Sequence, residues 1–261
     1  MYPFLHLNIL GWHREQPTFG LMLWLAIVCA AIVLDRCFHR AKVEADAMSI
    51  VVVTAISGVV GAKLWHVIDT PSEFHQMGWQ VLWDTGGLAW FGGLTLGLIA
   101  LILQGYWTKI GPLRILDLTA PAAAIGYGVG RIGCLLSGDG CYGIPTKMPW
   151  GMAFPEGIEP TPLGVRVHPT PLYEFVFALF LAVWLWIRGA RKRPAGAMLG
   201  EYLLLSGIAR FLVEFLRRNP RVFLHMSNAQ LASVASILAG AVLLVIVSAK
   251  KADPLPEPVS E

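Results

Sequence analysis

Long apolar runs separated by short polar intervals set the pattern of this chain. Seven runs come close to the ~20 residues that an α-helix needs to cross the hydrocarbon core of a bilayer. They cover residues 18–34, 48–68, 88–104, 115–136, 170–187, 197–216 and 229–247. The pattern predicts an all-α integral membrane protein with about seven transmembrane helices. We read residues 1–250 as one seven-helix domain, with one long loop at 137–169 and no soluble domain or internal repeat. The end of the chain, residues 251–261, is polar and Pro-rich and is expected to be a disordered tail.

Composition agrees with this pattern. The chain is 56% hydrophobic and only 14% charged, whereas a soluble domain carries about 25% charged residues. The net charge of +3 is spread thinly over the loops, so no nucleic-acid partner is expected. Lys and Arg instead report orientation, because basic loops stay on the cytoplasmic side. One side receives Arg36, Arg40, Lys42, Lys109, Arg114, Arg188, Arg191, Lys192, Arg193, Lys250 and Lys251. The other receives Arg14, Lys147, Arg166, Arg217, Arg218 and Arg221. Eleven against six places the first set in the cytoplasm. The N-terminus is then outside, the C-terminal tail cytoplasmic, and the loop at 137–169 outward-facing. Arg217, Arg218 and Arg221 depart from the rule locally. They suit either anionic headgroups or a solvated helix end.

Residues 1–17 lack a basic segment followed by a short apolar core and a small-residue cleavage site, so no cleavable signal peptide is expected. Four cysteines are too few for a disulfide scaffold. Cys134 and Cys141 flank the start of the long loop and can pair in an oxidising compartment. Two unpaired thiols is the plainer reading.

The chemistry concentrates in residues 117–155. Arg131 sits inside an apolar run, where removing a cation from water costs several kcal/mol or more unless it is paired or wet. Lys63 and Arg210 are likewise within or near the ends of spans. Together they imply an anionic group at membrane depth. The guanidinium fork suits phosphate, so Arg131 and Arg210 converging from different helices would clamp a phosphodiester. The plain alternative is that each arginine pairs with a carboxylate in the bundle. Glu214, four residues after Arg210, can do this for Arg210; Arg131 has no obvious partner in its own helix.

Residues 128–133 match G-x-G-x-x-G, but no strand precedes them, so a dinucleotide site is rejected. Gly126, Gly130 and Gly133 instead offer a smooth face for close helix approach, as do Gly92, Gly93 and Gly97. Asp139 lies among Gly138, Gly140 and Gly143, which permit tight turns. It can take a proton, orient an arginine, or simply serve the turn. His168, at the start of the fifth span, and His66, at the outer end of the second, can act as bases near neutral pH. Cys134, Asp139, Cys141 and His168 form a conceivable metal set, but their spacing fits no standard zinc pattern, and no metal or other cofactor is expected.

The run GRIGCLLSGDGCYGIPTKMPWGMAFP resembles the signature of the prolipoprotein diacylglyceryl transferases, G-R-x-G-N-x-x-N-G-E-x-x-G followed by P-W-G/A-M-x-F-P. Other segments resemble the family in order: Phe19-Gly20-Leu21-Met22, WDTGGLAWFGGL from Trp83, VHPTPLYE from Val167 and ARFLVEFLR from Ala209. The resemblance implies an enzyme of the bacterial cytoplasmic (inner) membrane. It would move the diacylglyceryl group of phosphatidylglycerol to the thiol of a lipobox cysteine in a prolipoprotein signal peptide, releasing glycerol phosphate. The expected partners are those two substrates and the surrounding membrane lipids.

On this reading Arg131, Arg210, Gly143 and Lys63 bind phosphatidylglycerol. Arg210, Asp139, His168, His66 and Glu214 are the catalytic candidates. The chain departs from the family pattern at several places. Phe91 stands where the family has a histidine, Phe19 replaces a tyrosine, and Ser206 falls where a tyrosine precedes the arginine. Cys134 and Ser137 replace asparagines, and Asp139 replaces a glutamate. The phosphate-binding part is kept while the proton-handling part is changed. An active transferase with a relocated base is therefore weighed against a non-catalytic lipid-binding paralogue, or a transferase to another acceptor.

Overall fold

The computed structural model describes residues 2–9, 12–83, 89–191 and 193–249, with the backbone alone at 6–9 and 12–14. The tail at 251–261, residues 84–88 of the Trp83 segment, and Lys192, Lys250 and Lys251 lie outside the described residues. Apart from short 3-10 turns at Gly78–Leu82 and Glu214–Leu216, the order among the described residues is two strands, β1 (Phe4–Ile9) and β2 (Trp12–Pro17), then eight α-helices. These are α1 (Thr18–Ala41), α2 (Ala47–Asp69), α3 (Pro71–Met77), α4 (Trp90–Trp107), α5 (Pro112–Ser137), α6 (Thr170–Arg188), α7 (Ala197–Val213) and α8 (Asn228–Ala249).

Five helices, α1, α2, α4, α6 and α8, are long and apolar enough to cross a membrane, so this is a multi-pass membrane protein. The other two expected spans are helices at the expected places but fall short of that measure. In α5, Arg114, Asp117 and Arg131 together with Pro, Thr and Gly dilute the apolar run. With 17 residues, α7 is only about 25 Å long at ~1.5 Å per residue. α5 carries the buried Asp117 and α7 the buried Glu201, and both helices depend on their neighbours for cover.

The antiparallel hairpin β1–β2, in register from Phe4 opposite Pro17 to Ile9 opposite Trp12, is a departure from the all-α expectation. It precedes the first apolar run, where period-3.6 patterning has nothing to detect. The hairpin is pinned to the end of the bundle: the Thr18 N–H donates to the Pro3 carbonyl (2.9 Å) and the Tyr2 N–H to the Leu136 carbonyl (3.2 Å).

Helix α5 is the axis of the bundle, packed chiefly on α1 and α6 and also on α4 and α7. Its small residues permit this. Gly126 and Gly133 face α1, at Ala30 and at Met22 and Phe19, while Gly128 faces Ala178 and Phe175 of α6. Gly130 meets nothing within 4 Å, so it does not belong to the contact face expected for it; Gly128 does. Pro121 interrupts α5 and leaves the Asp117 carbonyl without its i+4 donor. The buried Asp117 carboxylate turns to α7 and accepts from the N–H groups of Gly196 (2.6 Å) and Leu199 (2.7 Å). One carboxylate thus satisfies two of the free donors at a helix N-terminus.

The α2–α4 pair depends on glycine in the way the sequence suggested. A Cβ at Gly92 would enter the Gly61 carbonyl and the Trp65 Cβ, while one at Gly93 would lie 3.2 Å from the Gly58 carbonyl. Gly92→Ala is therefore expected to destabilise the protein by about 1–3 kcal/mol, the usual cost of overpacking. Gly93→Ala should cost less. Thermal unfolding of the two variants in one detergent checks the order, and an unchanged Tm for Gly92→Ala would refute the contact.

The loop from 138 to 169 is an ordered cap. Gly138 (φ +60°) ends α5, and its carbonyl accepts from the Glu159 N–H (2.9 Å). Tyr142 stacks on the buried Phe154 with ring centroids 5.0 Å apart. Val167 bridges to Met152 and Pro145.

Candidate active site

Glu174 lies in the first turns of α6 and is buried, with its side chain 4% exposed. Three arginines converge on it. Arg131 of α5 places Nε 3.2 Å from Oε2, Arg210 of α7 places Nη1 2.5 Å from Oε1, and Arg217, just past α7, places Nη1 3.6 Å from Oε2. The Tyr127 hydroxyl donates to Oε1 at 2.6 Å, and its ring lies 4.9 Å under the Arg131 guanidinium. A second buried carboxylate, Glu214, pairs with Arg210 Nη2 at 3.1 Å and accepts from Asn219 (2.5 Å) and the Ser227 hydroxyl (2.8 Å). Arg131 thus finds in α6 the carboxylate that its own helix does not provide.

Pairing does not exhaust these cations. Three guanidinium groups against two carboxylates leave one positive charge over. The ion pairs involving Arg131 Nε and Arg217 Nη1 and Nε are not aligned as hydrogen bonds. These buried nitrogens therefore have no acceptor among the described residues. Buried donors are normally satisfied, and charged ones left unpaired are costly. The oxygens that face them, Glu174 Oε2 and Glu214 Oε2, are likewise without a hydrogen-bond partner among the described residues. Beside them a pocket of about 400 Å³ is lined by Gly140, Tyr142, Glu159, Arg217, Arg218 and Asn219. The Arg218 guanidinium lies over the Tyr142 ring at 4.7 Å.

The other expected residues divide between this cluster and elsewhere. Gly143 belongs to its wall: its N–H donates to the His168 carbonyl (2.8 Å), and a Cβ there would enter the Leu216 carbonyl and lie 3.0 Å from His168 Cβ. Only glycine lets the loop pass so close to the segment that carries Arg217. Asp139 accepts from the Cys141 N–H at 3.1 Å, beside the Cys134 and Cys141 sulfurs that Arg131 Nη1 approaches at 3.9 and 3.8 Å. His168 turns away, with Nδ1 3.1 Å from the Tyr173 hydroxyl. That hydroxyl also accepts from Trp150 Nε1 (2.8 Å). Of the conceivable metal set, Cys134, Asp139 and Cys141 have ligand atoms within 4.8 Å of one another, and His168 is not among them.

His66 and Lys63 are held outside the arginine cluster, on α2. His66 Nε2 lies 3.1 Å from Glu73 of α3, and the Lys63 ammonium donates to the Val81 carbonyl at 3.3 Å. Phe91 lies in the first turn of α4, half exposed and edge-on to Trp90 with centroids 5.3 Å apart. Glu174 and Tyr127 are site residues outside the catalytic and binding candidates expected from the sequence, and Arg217 is expected there only as part of a basic cluster suited to anionic headgroups or a solvated helix end. A signal existed for two of them: Glu174 ends the VHPTPLYE segment, and Arg217 stands at i+3 from Glu214. Nothing local marked Tyr127.

A family model described as prolipoprotein diacylglyceryl transferase matches residues 14–246. The chain is similar to proteins named phosphatidylglycerol–prolipoprotein diacylglyceryl transferase in several bacteria. It is 34% identical to that of Clostridium tetani over 226 residues, covering 85% of this chain and 89% of the relative. It is 33% identical to the transferase 2 of Clostridium perfringens over 230 residues, 87% of this chain and 89% of the relative. With that of Geobacter sulfurreducens it shares 33% identity over 259 residues, 93% of this chain and 95% of the relative.

Proposed function

This chain belongs to the prolipoprotein diacylglyceryl transferase family, and from that we infer its reaction: transfer of the diacylglyceryl group of phosphatidylglycerol to a prolipoprotein. The acceptor in our reading is the thiol of the lipobox cysteine. The thiol loses its proton, and the thiolate sulfur attacks the diacylglyceryl carbon that bears the phosphate ester. A C–S bond forms as the C–O bond breaks, and glycerol phosphate leaves with the electron pair. The setting is the bacterial cytoplasmic membrane. There α5 and α7 would span with the other five helices, the N-terminus outside, so that the arginine cluster opens outward.

One observation carries this reading: Arg131, Arg210 and Arg217 converge from two helices and a loop, with buried donors left over. Cations fixed where charge develops on a leaving group, in a site shielded from water, are among the strongest catalytic devices. Glu174 and Glu214 hold the three guanidinium groups apart from solvent and in register, so little reorganisation remains when phosphate arrives. The resident carboxylates also keep the empty site from becoming a triple cation, which burial would not tolerate.

Among the base candidates we favour Asp139. It lies with Cys141 against Arg131, whereas His66 is engaged by Glu73 and His168 by Tyr173. The test uses purified protein, phosphatidylglycerol and a lipobox peptide, with peptide mass and released glycerol phosphate both followed. A diacylglyceryl adduct on the peptide, absent from a Cys→Ser peptide, is the expected result. Lipid binding without adduct or glycerol phosphate would overturn the transferase reading. Asp139→Asn should lower kcat about 10²-fold with little change in KM for the lipid, in line with the loss of a general base. Full activity in that variant would return the base to His66 or His168.

A further inference from the structure

The arginine cluster has one more neighbour that the transfer chemistry leaves unused. Cys134, in the last turn of α5, and Cys141, three residues past Gly138, are both free thiols with sulfurs within 4.8 Å of each other. The Arg131 guanidinium approaches both through the same nitrogen, at 3.9 Å and 3.8 Å. Cys134 is buried and Cys141 half-buried. The backbone between them is held at several points. The Gly138 N–H donates to the Cys134 carbonyl (3.0 Å), the Asp139 carboxylate accepts the Cys141 N–H, and the Cys141 carbonyl accepts the Thr170 hydroxyl (2.6 Å).

We propose that Cys134 and Cys141 are a redox-active dithiol, closing to a disulfide that sets the charge facing Arg131. A disulfide bond is about 2.05 Å long, so closure needs the two sulfurs to approach by under ~3 Å, a side-chain rotation rather than a loop rearrangement. The oxidant is a disulfide of the compartment the loop faces, in protein or small-molecule form. The more accessible Cys141 attacks as thiolate, forms a mixed disulfide and expels one donor thiolate. Cys134 then loses its proton, attacks the Cys141 sulfur and expels the second. Two protein thiols become one disulfide, the donor disulfide becomes two thiols, and no other reductant or oxidant is needed. The hydrogen bond from the Cys134 thiol, helped by Arg217, holds the Cys141 thiol below its ordinary value, which favours the attacking form. A metal is the competing use of these sulfurs. The guanidinium 3.8 Å away argues against it, because a cation there repels a metal ion and attracts thiolate.

The consequence for Arg131 rests on the phosphate reading above. In the reduced form a Cys141 thiolate partly neutralises Arg131 and competes with lipid phosphate. In the disulfide form that negative charge is gone, and KM for phosphatidylglycerol should fall severalfold.

The test uses full-length protein in detergent, exposed to oxidised glutathione, quenched in acid and alkylated with N-ethylmaleimide. Trypsin releases residues 132–147, which hold both cysteines, as one peptide. The expected product is that peptide lighter by two hydrogens and without maleimide, while the Cys134→Ser variant traps Cys141 as its glutathione adduct. Two maleimide groups on the wild-type peptide, or glutathione on both cysteines, would overturn the proposal. So would protection that needs added Zn²⁺ and is removed by chelator. An unchanged KM in protein shown to carry the disulfide would overturn the link to Arg131 and leave the disulfide standing. Loss of transfer in both redox states would count against the transferase reading alone.

Discussion

Arg131→Ala is expected to lower diacylglyceryl transfer by about 10²–10³-fold, the range seen when one preorganised donor is removed from a charge-stabilising site. Arg131 is half-buried in α5, with its buried Nε against Glu174 and without an aligned acceptor. Removing it deletes one cation of the proposed phosphate site and leaves Glu174 paired with Arg210 and Arg217. The fold should therefore survive, and unfolding in detergent should shift little. Arg131→Lys restores charge but not the planar fork, so it should recover only part of the rate. The measurement is kcat/KM for phosphatidylglycerol with a lipobox peptide. A rate within a fewfold of wild type for Arg131→Ala would remove this residue from the site.

Glu174→Ala should do more damage, because it acts on folding as well as on rate. This carboxylate touches Arg131, Arg210, Arg217 and Tyr127, and almost none of it reaches solvent. Without it, three guanidinium groups face one another with Glu214 alone to offset them. Breaking a buried ion pair by removing one partner typically costs about 3–5 kcal/mol. For a chain of this size that corresponds to a fall in Tm on the order of 10 °C. Transfer should fall with it, since Arg131 and Arg210 lose their shared anchor. Glu174→Gln keeps an acceptor for Tyr127 and Arg210 but removes the charge, so it should fold better than Glu174→Ala while transferring poorly. Thermal unfolding of both variants beside wild type separates the charge from the packing, and an unchanged Tm for Glu174→Ala would show that the cluster does not depend on this carboxylate.

The cluster and the dithiol share a feature that changes how the sequence is read. The resemblance places an asparagine at Cys134 and a glutamate at Asp139; Cys134 stands beside Arg131, and Asp139 holds the N–H of the neighbouring Cys141. Phe91, where the resemblance places a histidine, lies at the start of α4 beside Trp90.

Much of the architecture was legible in the sequence because it rests on local rules. Runs of about twenty apolar residues specify helices: six of the seven expected spans are helices within three residues of their expected bounds, and the first, expected at 18–34, continues as α1 to Ala41. Gly92 and Gly93 marked a close helix pair, because only glycine lets two backbones approach that far. Arg131 announced itself as a cation where hydrocarbon would not tolerate one. Other features depend on contacts between residues far apart in sequence, which no period or spacing encodes. Tertiary packing brought Glu174 to Arg131 across 43 positions, turned Asp117 from its own helix to cap α7, and gathered Arg217 into the cluster. It also placed His66, a candidate base, beside Glu73 and Lys63, a candidate lipid-binding cation, against the Val81 carbonyl. The sequence determined which groups could not be left alone in a membrane. Only the tertiary structure decided which partners they found, because a buried charge is satisfied by whatever the fold places within a few ångströms of it.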